Sequence, residues 1–223
     1  MHIAPSLPQL AMAVEERAAP RFTLLIRAAK LVVGEREYVC VVRDISASGA
    51  SIRSFHRIPA APHLALEFQP GHAHSAALVW QSDGEAGFKF DHPVDVERIL
   101  TGYSDYPRRD LRFAIERPAL LNFDGNCVAA RLVNLSRQGG AICCTSALAI
   151  DQPLRLDVDG LPDIVARVRW RKDGLYGLVF DTMFSIGGLA LIIRDLHETS
   201  HSSDFREIAA RPAPDFPPAD REK

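Results

Sequence analysis

At 223 residues the chain has room for two small domains or one of medium size, and its 47% apolar and 24% charged residues are ordinary for a globular protein. A net charge of −2 and a pI near 6.4 argue against a general nucleic-acid-coating surface, which needs many phosphate-neutralising cations, but leave room for a local basic pocket that takes one small anion. No apolar run approaches the ~20 residues of a membrane-spanning helix, and the first residues, MHIAPSLPQLAMAVEE, lack the basic and apolar regions of a secretory signal.

Residues 1–16 read as a flexible lead. Short runs rich in β-branched and aromatic residues then follow at 22–33, 38–42, 50–52, 63–68, 75–81 and 87–90, separated by Gly, Pro, Asp and Ser. That pattern predicts an all-β domain of hairpins. Residues 93–100, opened by Pro93, predict a short closing helix. The polar, turn-rich segment TGYSDYP at 101–107 reads as a linker. After it the strand series restarts at 113–123, 127–133, 140–145, 153–158, 164–171 and 176–180. The dipeptide Asp124-Gly125 predicts a type I′ turn between the first two, since both central residues of such a turn need positive φ. A longer helix is predicted over 186–197 from Leu189, Ile192, Ile193 and Leu196, with a start weakened by Gly187-Gly188. Its apolar face can pack on its own barrel or on the other copy, and its own domain is the default expectation. The Pro- and charge-rich tail, 199–223, is expected to be disordered. The resulting domains are 17–100 and 108–198.

The two series are copies. Arg17, Arg21 and Phe22 match Arg108, Arg112 and Phe113 at an offset of 91. Asp44, Ser46 and Gly49 match Asn134, Ser136 and Gly139 at 90, and so do Trp80, Gly87, Phe90 and Asp91 with Trp170, Gly177, Phe180 and Asp181. A shift held across so many unlike residues marks a tandem duplication. The one-residue change of offset is expected near the first hairpin turn, where loops tolerate such losses.

Each copy places two arginines four apart just before its first strand, and a [D/N]-x-S-x-x-G turn after its second. A hairpin brings its two ends together, so arginines and turn can share a site. Guanidinium groups fork onto a phosphate or onto the O6/N7 edge of guanine, or stack on a purine. The turn supplies an acceptor, a hydroxyl and a glycine that permits close backbone approach. The set suits a ligand carrying both guanine and phosphate.

These residues, Arg17-x-x-x-Arg21 with Asp44-x-Ser46-x-x-Gly49 and Arg108-x-x-x-Arg112 with Asn134-x-Ser136-x-x-Gly139, resemble the signature of PilZ domains. The resemblance covers about residues 15–100 and 106–198. It implies two tandem six-stranded antiparallel β-barrels, each with a C-terminal helix, in a cytoplasmic bacterial receptor for cyclic di-GMP. It implies that the arginines clamp guanines and phosphates while Asp44, Ser46, Gly49, Asn134, Ser136 and Gly139 bind from the barrel surface. Arg109 adds a further cation in the second copy, whereas Glu16 precedes Arg17 in the first. Asn134 brings no negative charge where Asp44 does, so the second copy is expected to be the stronger site. The resemblance also implies signalling through an unidentified protein partner, in motility, exopolysaccharide or biofilm control. The alternative is a protein-interaction adaptor in which one or both copies bind no nucleotide.

The remaining features point to no enzyme, cofactor, nucleic-acid polymer or membrane insertion. His72-x-His74 puts two imidazoles on one side of an extended segment without a third ligand in view, and reads as exposed loop histidines. Cys40, Cys127, Cys143 and Cys144 have no zinc spacing and read as buried reduced thiols. Neither a G-x-S-x-G elbow nor a phosphate-cradling G-x-x-x-x-G-K-[ST] loop occurs. Trp80 and Trp170 are expected to pack in the core or on the barrel face.

Overall fold

A computed structural model describes residues 22–101 and 110–199. The first unit comprises strands β1 (Phe22–Val33), β2 (Arg36–Ser46), β3 (Gly49–Ser54), β4 (Leu64–Gln69), β5 (His72–Ser82) and β6 (Glu85–Phe90), then helix α1 (Val96–Thr101). The second comprises β7 (Phe113–Phe123), β8 (Asn126–Leu135), β9 (Gly139–Cys144), β10 (Pro153–Asp157), β11 (Ile164–Lys172) and β12 (Leu175–Phe180), then α2 (Ile186–Thr199). Each set of six strands closes into an antiparallel barrel, in the orders β1-β2-β3-β6-β5-β4 and β7-β8-β9-β12-β11-β10. Full closure leaves no continuous free sheet edge. Period-two patterning fills the interiors. Along β11, Ile164, Ala166 and Val168 point into the core while the residues between them face solvent. Asp124-Gly125 has φ of 50° and 75°, as the hairpin reading requires.

The register relocates the missing residue. Thr23 pairs with Asp44 and Arg27 with Val42, so three residues of β1 bulge against one of β2. In the second barrel Ala114 pairs with Asn134 and Arg117 with Leu132, so two bulge against one. The offset therefore falls from 91 to 90 inside this bulge and not at the hairpin turn, which keeps two residues in both copies. A bulge absorbs a deletion because its extra residue is already unpaired. With that correction Arg27 and Arg117 are equivalent. Arg27 donates from Nη1 to Leu100 O of α1 at 3.4 Å, and Arg117 from Nη2 to Leu196 O of α2. In both barrels a first-strand arginine thus satisfies a carbonyl near the end of the closing helix, where unpaired oxygens collect.

Several expectations change in detail. Helix α1 starts at Val96, later than the predicted 93, because Asp95 Oδ1 accepts from the Arg98 amide at 3.0 Å and caps it there. The expected linker overlaps α1 at Thr101 and the expected disordered tail overlaps α2 at Thr199, while the lead, the remaining linker and the rest of the tail lie outside the described residues. Ser185 Oγ accepts from the Gly188 amide at 3.0 Å and offsets the weak glycine start of α2. His72 and His74 belong to strand β5, not to a loop. The His74 ring packs 5.8 Å from Phe68 and 6.1 Å from Phe90, and no group of three metal-ligating side chains occurs among the described residues. Cys40 and Cys144 are buried, but Cys127 is exposed and Cys143 half-buried, because strand alternation turns Cys143 away from the face that Cys144 occupies. No described helix is long and apolar enough to cross a membrane.

Helix α2 does not keep to its own barrel. Leu189, Ala190, Ile193 and Leu196 join the second core, and Val39 of β2 is buried in that same cluster with Phe55 packed against it. His197 Nε2 lies 2.9 Å from Glu37 O, and its ring sits 4.9 Å from Tyr38, which has His56 at 4.1 Å. Burial, with help from the Arg194 and His197 charges, lowers the His56 pKa from 6.5 to about 4, and burial also lowers that of His197. Protons therefore bind the unfolded chain more readily. The contribution to stability is present above pH 6.5 and is lost as pH falls from 6.5 toward 4. Thermal melts stepped through that window should show a loss on the order of 1 kcal/mol, after discounting for screening at a half-buried ring. His56→Phe should flatten the slope. An unchanged slope in that variant would place the acid sensitivity elsewhere.

Candidate functional site

The two signature turns are the β2–β3 and β8–β9 connections. Ser46 pairs with Gly49 across the first, and its Oγ donates to Gly49 O at 3.2 Å. In the second, Ser136 donates to Gly139 O from Oγ at 2.9 Å and from its amide at 2.8 Å. Both serines are buried, so each hydroxyl proton holds the turn closed. The glycines answer to neighbouring strands. A Cβ at Gly49 would stand 2.3 Å from Phe88 O, and one at Gly139 would stand 2.1 Å from Leu178 O. The close approach that sequence reasoning assigned to the glycine is thus first an approach of strand to strand. Trp80 and Trp170 use the next glycine pair in the same manner. A Cβ at Gly87 or Gly177 would stand 2.1 or 1.9 Å from the indole Nε1, so each ring lies flat over a glycine on the outer barrel face.

The start of each first strand runs beside its turn. Phe22 pairs with Ile45, and Phe113 with Leu135. Arg112, immediately before Phe113, is exposed and flanks the Asn134–Gly139 turn. Of the six predicted cation-bearing and turn residues in the second copy, the structure therefore brings together Arg112, Asn134, Ser136 and Gly139. Arg108 and Arg109 lie outside the described residues, and so do Arg17 and Arg21.

The copies differ at one acceptor. Asp44 pairs across the ladder with Ser51, whose hydroxyl donates to Asp44 Oδ2. Asn134 pairs with Ala141, whose side chain has nothing to donate, and Asn134 Oδ1 is buried without a hydrogen-bond partner. A buried acceptor left unpaired costs roughly 1–3 kcal/mol, a cost that a donor arriving on a ligand would remove. The sequence held this signal in the Ser51/Ala141 exchange, legible only once the register is known. It also held Asp110, inside the second arginine segment, whose Oδ2 is buried and without a partner. Asp110 in the second copy is thus the counterpart of Glu16 in the first. Among the described residues the two turns differ in the unpaired Asn134 oxygen.

No curated protein matches the chain. Among solved structures it is similar to PlzA of Borreliella burgdorferi in complex with c-di-GMP, with 13% identity over 76% of this chain and 86% of that one and a TM-score of 0.35. It is similar to the MrkH–c-di-GMP complex of K. pneumonia, with 14% identity over 78% and 89% and a TM-score of 0.33. It is also similar to YcgR of Escherichia coli in complex with c-di-GMP, with 12% identity over 79% and 85% and a TM-score of 0.31. The sequence model of the PilZ domain matches residues 15–104 and again 106–198, so both barrels are covered. Two closed six-stranded barrels carrying the paired signatures, each matched along its length, place the chain in the PilZ domain family.

Proposed function

We propose that this protein is a cyclic di-GMP receptor whose ligand site is in the second copy, and that it acts by binding and not by catalysis. The observation that carries the choice of copy is the buried, unpaired Asn134 Oδ1 beside the exposed Arg112. Guanine N–H groups would donate to that oxygen. Arg108, Arg109 and Arg112 would fork onto the O6/N7 edge and the phosphates, with Ser136 and Gly139 holding the turn beneath. Arg17, Arg21, Asp44, Ser46 and Gly49 form the matching set in the first copy, where the Ser51 hydroxyl already donates to one of the two Asp44 carboxylate oxygens. The two domains, 17–100 and 108–198, would carry the signal to a protein partner in the cytoplasm, in motility, exopolysaccharide or biofilm control.

Calorimetry tests this. The wild-type chain should bind cyclic di-GMP with about micromolar affinity, roughly −8 kcal/mol. Losing one forked arginine removes about 1–3 kcal/mol, so Arg112→Ala should weaken binding roughly tenfold. Absence of binding in wild type, or equal binding in the variant, would sink the proposal. The Ser51/Ala141 difference favours the adaptor reading for the first copy alone, and one ligand site per chain is the stoichiometry expected from it.

A further inference from the structure

The first part of β7 leaves its barrel on one side without a neighbour. β10 pairs with β7 only from Leu120 to Asn122, so the amides near the start of β7 have no sheet partner on that side. One of them is met from the other barrel: Glu37 Oε2 of β2 accepts from the Ala114 amide at 2.7 Å. Glu37 is itself held. Lys30 Nζ lies 2.9 Å from its Oε1 and 3.5 Å from Glu67 Oε2, and all three side chains are largely buried. The same ammonium sits 5.6 Å from the Phe113 ring centroid, and the Glu37 carbonyl receives His197 of α2. A charged cluster of the first barrel thus grips Phe113 and Ala114 from two sides.

Those two residues directly follow Arg112, and Ala114 pairs with Asn134 across the ladder. Whatever fixes Ala114 fixes where Arg112 meets the Asn134–Gly139 turn. We infer that Glu37 is a positioning residue for the second-copy site: the first barrel, through Glu37 and its Lys30 partner, sets the place from which Arg112 reaches the ligand. Glu37 need not touch the ligand to do this. An arginine that arrives from a fixed strand start forks onto its partner with less ordering on binding than one that arrives from a loose start. A short charge-assisted bond from a backbone amide, its carboxylate held in turn by Lys30, is strong enough to serve as that fixture. The inference rests on the ligand site proposed above, but half of its consequence needs no ligand.

Two measurements on the full chain decide it. Amide hydrogen exchange without ligand should speed up at residues 110–116 in Glu37→Ala, and less in Glu37→Gln, whose amide oxygen can still accept. Val39→Ala also loosens contact between the barrels but leaves the Ala114 amide bonded, so it should not change exchange there. Calorimetry with cyclic di-GMP should then show Glu37→Ala about fivefold weaker than wild type, Glu37→Gln in between, and Val39→Ala equal to wild type. Adding Glu37→Ala to Arg112→Ala should cost little more than Arg112→Ala alone, because Glu37 acts through Arg112. Unchanged exchange at 110–116 overturns the inference whether or not ligand binds. Fully additive losses, or equal losses from Glu37→Ala and Val39→Ala, overturn it by reducing Glu37 to general stability. Faster exchange with no binding in wild type supports the fixture and overturns the receptor reading instead.

Discussion

Gly139→Ala should destabilise the second barrel by about 3 kcal/mol, although it adds one methyl group to a surface turn. The new Cβ would lie 2.1 Å from Leu178 O and 3.2 Å from Leu178 C, both backbone atoms of β12. A flexible side chain can swing aside, but a strand inside a closed barrel cannot. Gly139 pairs with Val179 and Leu178 with Gly140, so the β9–β12 ladder must open by nearly an ångström or Gly139 must twist out of it. Twisting would break both bonds from Ser136 to Gly139 O, the contacts that close the signature turn. Overpacking of this kind costs roughly 1–3 kcal/mol before the lost hydrogen bonds are added. For a barrel of this size, each kcal/mol moves the midpoint by about 4–8 °C, so thermal melts should show a shift above 10 °C. Gly125→Ala is the contrast: nothing lies within 4 Å of its Cβ, and only the strain of φ at +75° remains. A Gly139→Ala protein that melts with wild type would mean that the strands are not packed this closely.

The glycine also shows what the sequence could reveal and what it could not. The [D/N]-x-S-x-x-G spacing and its recurrence at a fixed offset were enough to place a turn, a duplicated barrel and a candidate site. Alternating apolar residues were enough to place the strands within a few residues. Those are local signals, written in neighbouring residues. The clash partner of Gly139 is Leu178, 39 positions away and across a barrel seam, so no local pattern could show it. The same limit explains α2. Its apolar stripe is legible, but a stripe does not say what covers it, and Val39 of the other barrel proved to share the work. The Glu37–Ala114 bond links residues 77 apart and joins a side chain to an amide whose identity the sequence does not encode at all. Ser51 against Ala141 was in plain view, yet meaningless until the register set one beside Asp44 and the other beside Asn134.

Phe113→Ala should cost about 3–5 kcal/mol and should separate the unfolding of the two barrels. Phe113 is 2% exposed and belongs to the second core with Leu121, Leu132, Leu135 and Ile142. Truncating a buried phenylalanine removes its transfer free energy and leaves a cavity that a closed barrel cannot collapse around. The ring has a second neighbour that a core phenylalanine ordinarily lacks, the Lys30 ammonium of the first barrel 5.6 Å from its centroid. Lys30 keeps Glu37 and Glu67, so the first barrel retains its ion cluster and its own core of Leu31, Val42, Ile52, Leu66 and Phe88. The loss therefore falls on one barrel. Calorimetric unfolding of the variant should resolve into an early transition for the second barrel and a later one for the first, where the total heat no longer matches a single two-state step. Phe113→Leu should recover more than half of the loss, because it refills most of the cavity. One sharp transition, displaced as a whole, would show instead that the contacts of Val39, Phe55, Glu37 and His197 bind the two barrels into a single cooperative unit. A shift under 1 kcal/mol would contradict the placement of Phe113 in the core, and with it the seat from which Arg112 faces the Asn134 turn.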